Sequence, residues 1–380
     1  MENIVVPAKS SSVAGATTPA RIVVAPVGDA QPEPVGMMSP LALFLILGGL
    51  LIGLTLVAIS LGSTWIAPDL VWRVLANHLL PGTLVSNNGI SFSDEIVVWL
   101  VRTPRVMVAA LVGIALAIAG VQMQGMFQNP LASPDIVGTS SGSALGAVIA
   151  IATGLATRSV FYVPVFAFIG ALVAVFLVFG IATRHGRTPV ATLLLAGVAL
   201  TALIGALTSF VISLKWVDYQ VAQEILFWLM GGLDSRTWTH VWLIFPCVVI
   251  GAAMALIFFQ EMDLLLLGEE TARSLGVEVE HVKRMVLTSA ALLTGAAVAV
   301  SGVIGFVGLV IPHIVRLVIG PKHRWLLPTS ALAGAVFVIG ADLIARTVNR
   351  PEEVRLGIIT AVFGAPFFLY LLLRHNREAS

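Results

Sequence analysis

The chain has 380 residues, of which 58% are hydrophobic and 11% are charged, and its formal net charge is +1. A soluble domain carries roughly 25% charged residues, so this composition excludes a soluble globular protein and predicts a polytopic protein of the lipid bilayer. The near-neutral charge gives no basic signal for nucleic acid, which we do not expect as a partner. The single cysteine, Cys247, cannot form a disulfide within the chain.

Residues 1–39 precede the first long apolar run and are rich in Ala, Pro, Ser, Thr and Val. They lack the order of basic region, apolar core and cleavage site that defines a signal peptide. We therefore expect a mobile N-terminal tail, followed by a membrane domain at residues 40–376.

Nine apolar segments are long enough for a spanning helix, which needs about 20 apolar residues. They lie at 41–62, 105–127, 138–157, 161–183, 190–213, 239–260, 283–305, 328–348 and 356–374. A tenth, shorter helix is predicted at 308–320, because Gly302, Gly305, Gly308 and Pro312 offer breaks in the long apolar block. The fold class is therefore all-α with ten transmembrane helices, and both termini lie on one side.

Two further features concern the surfaces of these helices. The stretch 221–233 is too short to span and is predicted to lie at the membrane surface. Small residues recur at Ala109, Gly113, Ala117 and Gly120, which favours close approach of a neighbouring helix.

Lysines and arginines are divided almost equally between the two sets of loops. The positive-inside rule therefore does not orient the chain.

Several chemistries are weighed against the residues. No glycine-rich loop ending in Gly-Lys-Ser/Thr is present, so any ATP would bind to another chain. The histidines are scattered and predict no metal site. Asp342 and Arg346, four apart on one helix, favour a structural ion pair, with an ion-coupled secondary transporter as the alternative. Ser141 with His313 would suit an intramembrane serine enzyme, but the serines there favour a helix start.

The polar segment "LLLLGEETARSLGV" (264–277) lies between two long apolar runs. Glycines bracket it, and its middle is charged and helix-prone. With no nucleotide loop in the chain, we interpret this segment as a contact surface for an external motor.

Six strings in this order closely resemble the permease subunits of ABC importers for iron-siderophores, haem and cobalamin, and the likeness covers residues 40–374. They are "RTPRVMVAALVGIALAIAGVQMQGMFQNPLASPDIVGTSSGSALG" (102–146), "LLLAGVAL" (193–200), "FWLMGGL" (227–233), "LLLLGEETARSLGV" (264–277), "SGVIGFVGLVIPHIVRL" (301–317) and "LGIITAVFGAPFFLYLL" (356–372).

The resemblance implies a subunit of ten spans in the bacterial cytoplasmic (inner) membrane, with both termini in the cytoplasm. Its implied partners are a second copy of itself, two ATPase subunits on the cytoplasmic face and a substrate-binding protein outside. ATP and Mg would be bound by the partner ATPase, and this chain would bind no cofactor. The import mechanism is alternating access to a central path. The implied cargo is an iron chelate, haem or cobalamin, and the sequence does not choose among them.

The resemblance also implies roles for particular residues. The coupling helix that receives the ATPase movement matches 264–277, with glycine turns at both ends and an apolar edge formed by Ala272 and Leu275. The arginines that pair with glutamates of the binding protein match positions on the outer rim, and two residues of the loop after the second span match a cytoplasmic gate. In full, the expected residues are Gly268, Glu269, Glu270, Ala272, Arg273, Leu275 and Gly276 for coupling; Arg102, Arg105 and Arg346 for docking; and Asn129 and Leu131 for the gate.

Overall fold

The computed structural model describes residues 37–62, 64–79, 90–215 and 218–378, with only the backbone described at 215, 371–372 and 374–378. Nearly all of the predicted tail at 1–39 therefore lies outside the described residues. The first helix begins at Pro40, which occupies the first helical turn, where a proline costs no hydrogen bond.

The described chain is almost entirely helical. Its α-helices are α1 Pro40–Ser60, α2 Pro68–Leu79, α3 Phe92–Glu95, α4 Thr103–Met126, α5 Thr139–Ala152, α6 Tyr162–Ala182, α7 Val190–Lys215, α8 Tyr219–Leu229, α9 Trp238–Ile257, α10 Phe259–Leu265, α11 Glu269–Ser274, α12 Val279–Ser301, α13 Val307–Ile319, α14 His323–Thr347 and α15 Leu356–Glu378. A π-helical stretch, Ile96–Arg102, joins α3 to α4, and short 3₁₀ turns precede and follow α5.

Seven helical stretches in the described residues are long and apolar enough to cross a membrane: α1, the stretch from α3 through α4, α6, α7, α9, α12 and α14. Three shorter apolar helices, α5, α13 and the apolar part of α15, occupy the remaining predicted spans. The prediction of a polytopic helical membrane protein is confirmed. The count of ten spans and the side of the termini remain predictions.

The long apolar block at 285–319 divides where the glycines predicted it. Gly302 ends α12 with φ of 67°, and a side chain there would clash with the carbonyl of Trp228. α13 then begins at Val307 and contains Pro312. The predicted span at 138–157 is shorter than expected, because α5 ends at Ala152 and Gly154 follows with φ of 73°.

α4 is the central helix, and most of its residues are buried. Its small residues allow neighbouring backbones to approach closely. A side chain on Gly113 would clash with the Gly334 carbonyl of α14, and one on Gly120 would clash with Gly308 of α13. The predicted packing role of the small residues in α4 is therefore confirmed.

Hydrogen bonds show which connecting segments lie together at one end of the bundle. The loop after α4 reaches α10, since Gln128 donates from Nε2 to the Leu265 carbonyl at 2.5 Å. The loop before α7 lies at the same end, where the Thr188 backbone N–H donates to Glu280 at 3.0 Å. We call this the α11 end.

The opposite end contains the loops that precede α9 and α15 and the π-helical stretch before α4, whose Trp99 carbonyl accepts from Trp238 Nε1 at 2.9 Å, and we call it the α8 end. The Gly232 N–H donates to the Ser301 carbonyl at 2.8 Å, and the Leu356 N–H donates to the Gly231 carbonyl at 3.1 Å. The polypeptide just after α8 is thereby fixed to the ends of α12 and α15.

Candidate functional site

The predicted coupling segment, residues 264–277, contains the end of α10, a glycine turn, α11 and a second glycine turn. Gly268 has φ of 103° and Gly276 has φ of 90°, backbone conformations that residues with a side chain rarely adopt. Both sharp turns expected from the sequence are present. Glu269 and Glu270 occupy the first turn of α11, where the helix dipole favours negative charge.

A network of charged groups fixes the coupling segment to its neighbours. The Nζ of Lys283, only 3% exposed, lies 2.6 Å from Glu269 and donates to the Thr188 carbonyl at 3.0 Å. Arg273 lies 3.2 Å from Glu280, which also accepts the Thr188 N–H. The segment is thus held to the start of α12 and to the loop before α7. Arg273, one of the residues expected to act in coupling, has its ion-pair partners Glu269 and Glu280 within its own chain.

The expected apolar edge of α11 is wrong in one of its two residues. Ala272 is completely buried in the hydrophobic core, whereas the Leu275 side chain is 58% exposed. Leu275 caps the C-terminus of this six-residue helix and still donates to the Thr271 carbonyl, but the packing of α11 against the core leaves only Leu275 accessible to a partner. The exposed leucines of the segment are Leu267, at 62%, and Leu275.

A second contact, which the sequence analysis missed, fixes α10. Asp263 accepts a hydrogen bond from the His323 backbone N–H at 2.9 Å, and its carboxylate lies 2.6 Å from His323 Nδ1. The imidazole is fully buried beside Gly125, where a side chain would meet its Nε2. α10, which leads directly into the coupling segment, is therefore joined to the start of α14 and the end of α4. A lone histidine following an apolar run carries no sequence signal for such a contact.

The predicted gate loop leads from α4 to α5 at the α11 end. Asn129 is exposed at its tip, and its Oδ1 accepts the Leu131 N–H at 2.9 Å, which stabilises a tight turn. Further along, burial raises the pKa of Asp135, against the opposing effect of a hydrogen bond from Ser140. Gln128, at the start of this loop, donates to the Leu265 carbonyl, so the gate loop and the coupling segment are neighbours. The role of Asn129 and Leu131 as a gate remains a prediction.

The three arginines predicted for the outer rim lie together at the α8 end, but they are buried or nearly so. Arg102 is 5% exposed and donates to the carbonyls of Ile59, Ser60 and Thr64 at 2.6–2.8 Å. These carbonyls lie at and just beyond the end of α1, where a cation satisfies acceptors that the helix leaves free. A side chain on Gly62 would clash with this guanidinium.

Arg105 and Arg346 are engaged in the same region. Arg105 donates to Asp342 at 2.8 Å and to Glu353 at 2.8 and 2.9 Å, binding both carboxylates. Arg346 lies 3.1 Å from Asp342 and donates to the Ala58 carbonyl at 3.0 Å. The expectation of exposed rim arginines is thus not met, because carbonyls and carboxylates of the same chain occupy them. Their role in docking a partner remains a prediction.

The pair weighed for ion coupling is part of this cluster. Asp342 contacts two arginines, Arg105 and Arg346, and its side chain is 2% exposed. The structural ion pair predicted from the sequence is present. His313, considered as a catalytic base with Ser141, instead lies edge-on to the Phe367 ring, with centroids 6.5 Å apart.

These features define a multi-pass helical membrane protein with a hinged, polar segment fixed at one end of its helix bundle. The chain belongs to the FecCD transport family, whose model matches residues 50–374. It is 50% identical over 285 residues to the cobalamin import system permease protein BtuC of Halobacterium salinarum, covering 75% of each chain.

Two further comparisons agree. The hemin transport system permease protein HmuU of Yersinia pestis is 43% identical over 291 residues, covering 74% of this chain and 85% of HmuU. A solved structure of a metal-chelate type ABC transporter in an inward-facing conformation superimposes with a TM-score of 0.76 at 30% identity, covering 88% of this chain and 99% of that one. The resemblance found in the sequence is therefore confirmed.

Proposed function

We propose that this chain is the permease subunit of an ATP-driven importer in the bacterial cytoplasmic membrane. It moves a bulky iron chelate or haem, with cobalamin as a further candidate, by alternating access. The names of the relatives, among them a cobalamin and a hemin permease, support this range of cargo. The chain forms the path by which the cargo crosses the membrane, and a partner ATPase hydrolyses the ATP.

The coupling segment is the observation that carries this proposal. A rigid body needs fixed contacts on one face and an accessible face for its driver. Glu269 and Asp263 supply the fixed contacts through Lys283 and His323, while Leu267 lies exposed beside the first glycine turn. A partner that moves this segment therefore moves the starts of α12 and α14 with it.

The same arrangement supports an orientation and a set of partners. The α11 end faces the cytoplasm and two ATPase subunits, and the α8 end faces a substrate-binding protein. Asn129 and Leu131, in the gate loop beside the coupling segment, would meet their equivalents in a second copy. The N-terminus lies on the cytoplasmic side with the C-terminus.

Co-purification tests the assembly. The chain is tagged at its C-terminus, co-expressed with an ABC ATPase and a substrate-binding protein from the same organism, and isolated in lipid nanodiscs for native mass spectrometry. We expect two copies of the chain with two ATPase subunits, and a binding protein that joins in the presence of its ligand. A monomeric chain that captures no ATPase would contradict the proposal. The ligand bound by the isolated binding protein then names the cargo.

A further inference from the structure

A cavity of about 580 Å³ with a mixed polar and apolar lining opens at the α8 end. Its walls come from α8, the loop between α8 and α9, the start of α9, the facing ends of α5, α6 and α12, and Arg355 just before α15. The charged residues of its lining are Glu224, Asp234, Arg236 and Arg355. Pockets of this volume commonly hold small organic ligands.

Arg236 is the lining residue whose guanidinium lacks a partner among the described residues. Its Nε is buried without a hydrogen-bond partner, and the guanidinium makes no hydrogen bond or ion pair within 4.0 Å among the described residues. Burial lowers the pKa of Arg236; the negative charge of Asp234 opposes this effect and the positive charge of Arg105 adds to it. An unpaired, part-buried guanidinium is costly, so a ligand that supplies acceptors would be stabilised there.

The other charges of the cavity determine what such a ligand must carry. Arg355 and Asp234 neutralise each other at 2.6 Å, and Arg355 also stacks 4.1 Å above the Phe227 ring. Glu224 is exposed on α8 and has no ion-pair partner among the described residues. Within the part of the chain that the structure describes, Arg236 and Glu224 are the charged lining residues without an ion-pair partner, and amide and hydroxyl groups lie beside them. A molecule with a carboxylate for Arg236 and a hydroxyl for Glu224 matches both.

We propose that this cavity is a binding site for a small hydroxycarboxylate ligand, in which Arg236 receives the carboxylate and Glu224 accepts from the hydroxyl. Its volume exceeds what a single acidic side chain of a docked protein would fill, which favours a small molecule. The planar fork of arginine suits bidentate binding of a carboxylate. The binding site is inferred from the cavity alone. Whether its ligand is also the imported cargo rests on the proposed function.

The test measures binding of citrate to the full-length chain in lipid nanodiscs by isothermal titration calorimetry, with no ATPase or nucleotide present. Trimethyl citrate, which lacks the charges, is the control ligand. We expect saturable binding of citrate and none of the ester. Arg236→Gln should weaken binding by about tenfold or more, as expected for loss of a charged hydrogen bond. Arg236→Lys, which keeps the charge but not the fork, should fall between.

Arg158→Gln is the matched control, because Arg158 is an exposed arginine at the same end that does not line the cavity. It should bind citrate like the unmodified chain. The proposal is overturned by absence of saturable citrate binding, by unchanged binding in Arg236→Gln, or by an equal loss in Arg158→Gln. If citrate does not bind but Arg236→Gln weakens association of the binding protein, the cavity receives an acidic side chain instead. Since no transport is measured, each of these outcomes leaves the import function to its own test.

Discussion

Asp263, a partly exposed residue, and the buried His323 form a contact in which one carboxylate oxygen lies 2.9 Å from the backbone nitrogen and 2.6 Å from the ring Nδ1. Asp263 belongs to α10, directly before the coupling segment, whereas His323 is the first residue of α14. The imidazole also lies against Gly125 near the end of α4, the central helix. A displacement of α10 therefore reaches two spanning helices through one side chain.

Asp263→Ala should weaken both stability and coupling. The change leaves the buried His323 donors without an acceptor, at a cost of about 1–3 kcal/mol. We expect a lower midpoint of thermal unfolding in nanodiscs and less cargo moved per ATP hydrolysed in proteoliposomes. Asp69→Ala is the control, because Asp69 is 65% exposed in a surface pair with Arg73. Unaltered stability and coupling in Asp263→Ala would refute the role of this contact.

Adjacent glutamates of α11 should differ in their effects. Glu269→Gln removes the charge that faces the buried Lys283, and we expect destabilisation of about 1 kcal/mol or more. Glu270→Gln changes an exposed side chain with no ion-pair partner among the described residues, and its stability should stay within about 0.5 kcal/mol. Chemical denaturation of the two variants measures this difference. Equal stabilities would show that the Glu269–Lys283 pair does not hold the segment.

Leu267 and Leu275 should be the apolar contacts of the coupling segment with the ATPase. Leu267→Glu and Leu275→Glu place a charge on an exposed surface, so the chain should fold normally but lose ATPase association in pull-down assays. Ala272→Glu buries a carboxylate in the core and should instead abolish folded protein. ATPase association that survives both leucine substitutions would place the contact elsewhere.

Arg105→Gln should destabilise the protein. The substitution removes a positive charge that compensates the negative charges of Asp342 and Glu353. Removing one partner from a buried ion pair typically lowers the free energy of unfolding by about 3–5 kcal/mol. Arg350→Gln, at an exposed arginine of the same end, should leave stability unchanged. Thermal unfolding of both variants is measured before any docking assay. A fully stable Arg105→Gln variant with weakened docking would restore Arg105 as a residue that binds the partner directly.

Asp234→Asn should have an effect that depends on pH. Burial opposes ionisation of Asp234, but the ion pair with Arg355 outweighs it and holds the pKa below its ordinary value. The folded state therefore binds this proton less readily than the unfolded state, so the pair stabilises the fold above the ordinary pKa. That stabilisation disappears as pH falls through the lowered pKa. Since the pair is partly exposed, we expect less than about 1 kcal/mol at neutral pH, weakened by salt.

Thermal unfolding of Asp234→Asn and of the unmodified chain, compared from neutral to acidic pH, checks this sign. The variant should be the less stable at neutral pH, and the two curves should converge in acid. A difference that grows on acidification would contradict the assigned direction.

The spans could be predicted because the bilayer requires long apolar runs, and glycines mark their breaks. α12 and α13 separate at Gly302 as expected. The region between α1 and α4 was missed, because α2 is amphipathic and short, with apolar residues such as Val71 buried at helical spacing rather than in one run. A search for spanning segments does not detect such a helix.

The candidate site was predictable where residues act locally. The turns at Gly268 and Gly276 follow from glycine itself. The burial of Arg102 was not predictable, because its partners are carbonyls at and beyond the end of α1, some 40 residues earlier in the chain. The burial of Ala272 was likewise not predictable, because it depends on how α11 packs against the rest of the protein, and the sequence of α11 alone does not determine that packing.

The central claim is that ATP hydrolysis by a partner drives import through this chain. Its most direct test is uptake of radiolabelled cobalamin, haemin and ferric chelate by proteoliposomes that contain the chain, its ATPase and the binding protein. We predict that one of these accumulates when ATP is supplied on the ATPase side, that uptake stops without ATP, and that a protonophore has no effect. Uptake by the chain alone, driven by a proton or sodium gradient without ATP, would contradict the account.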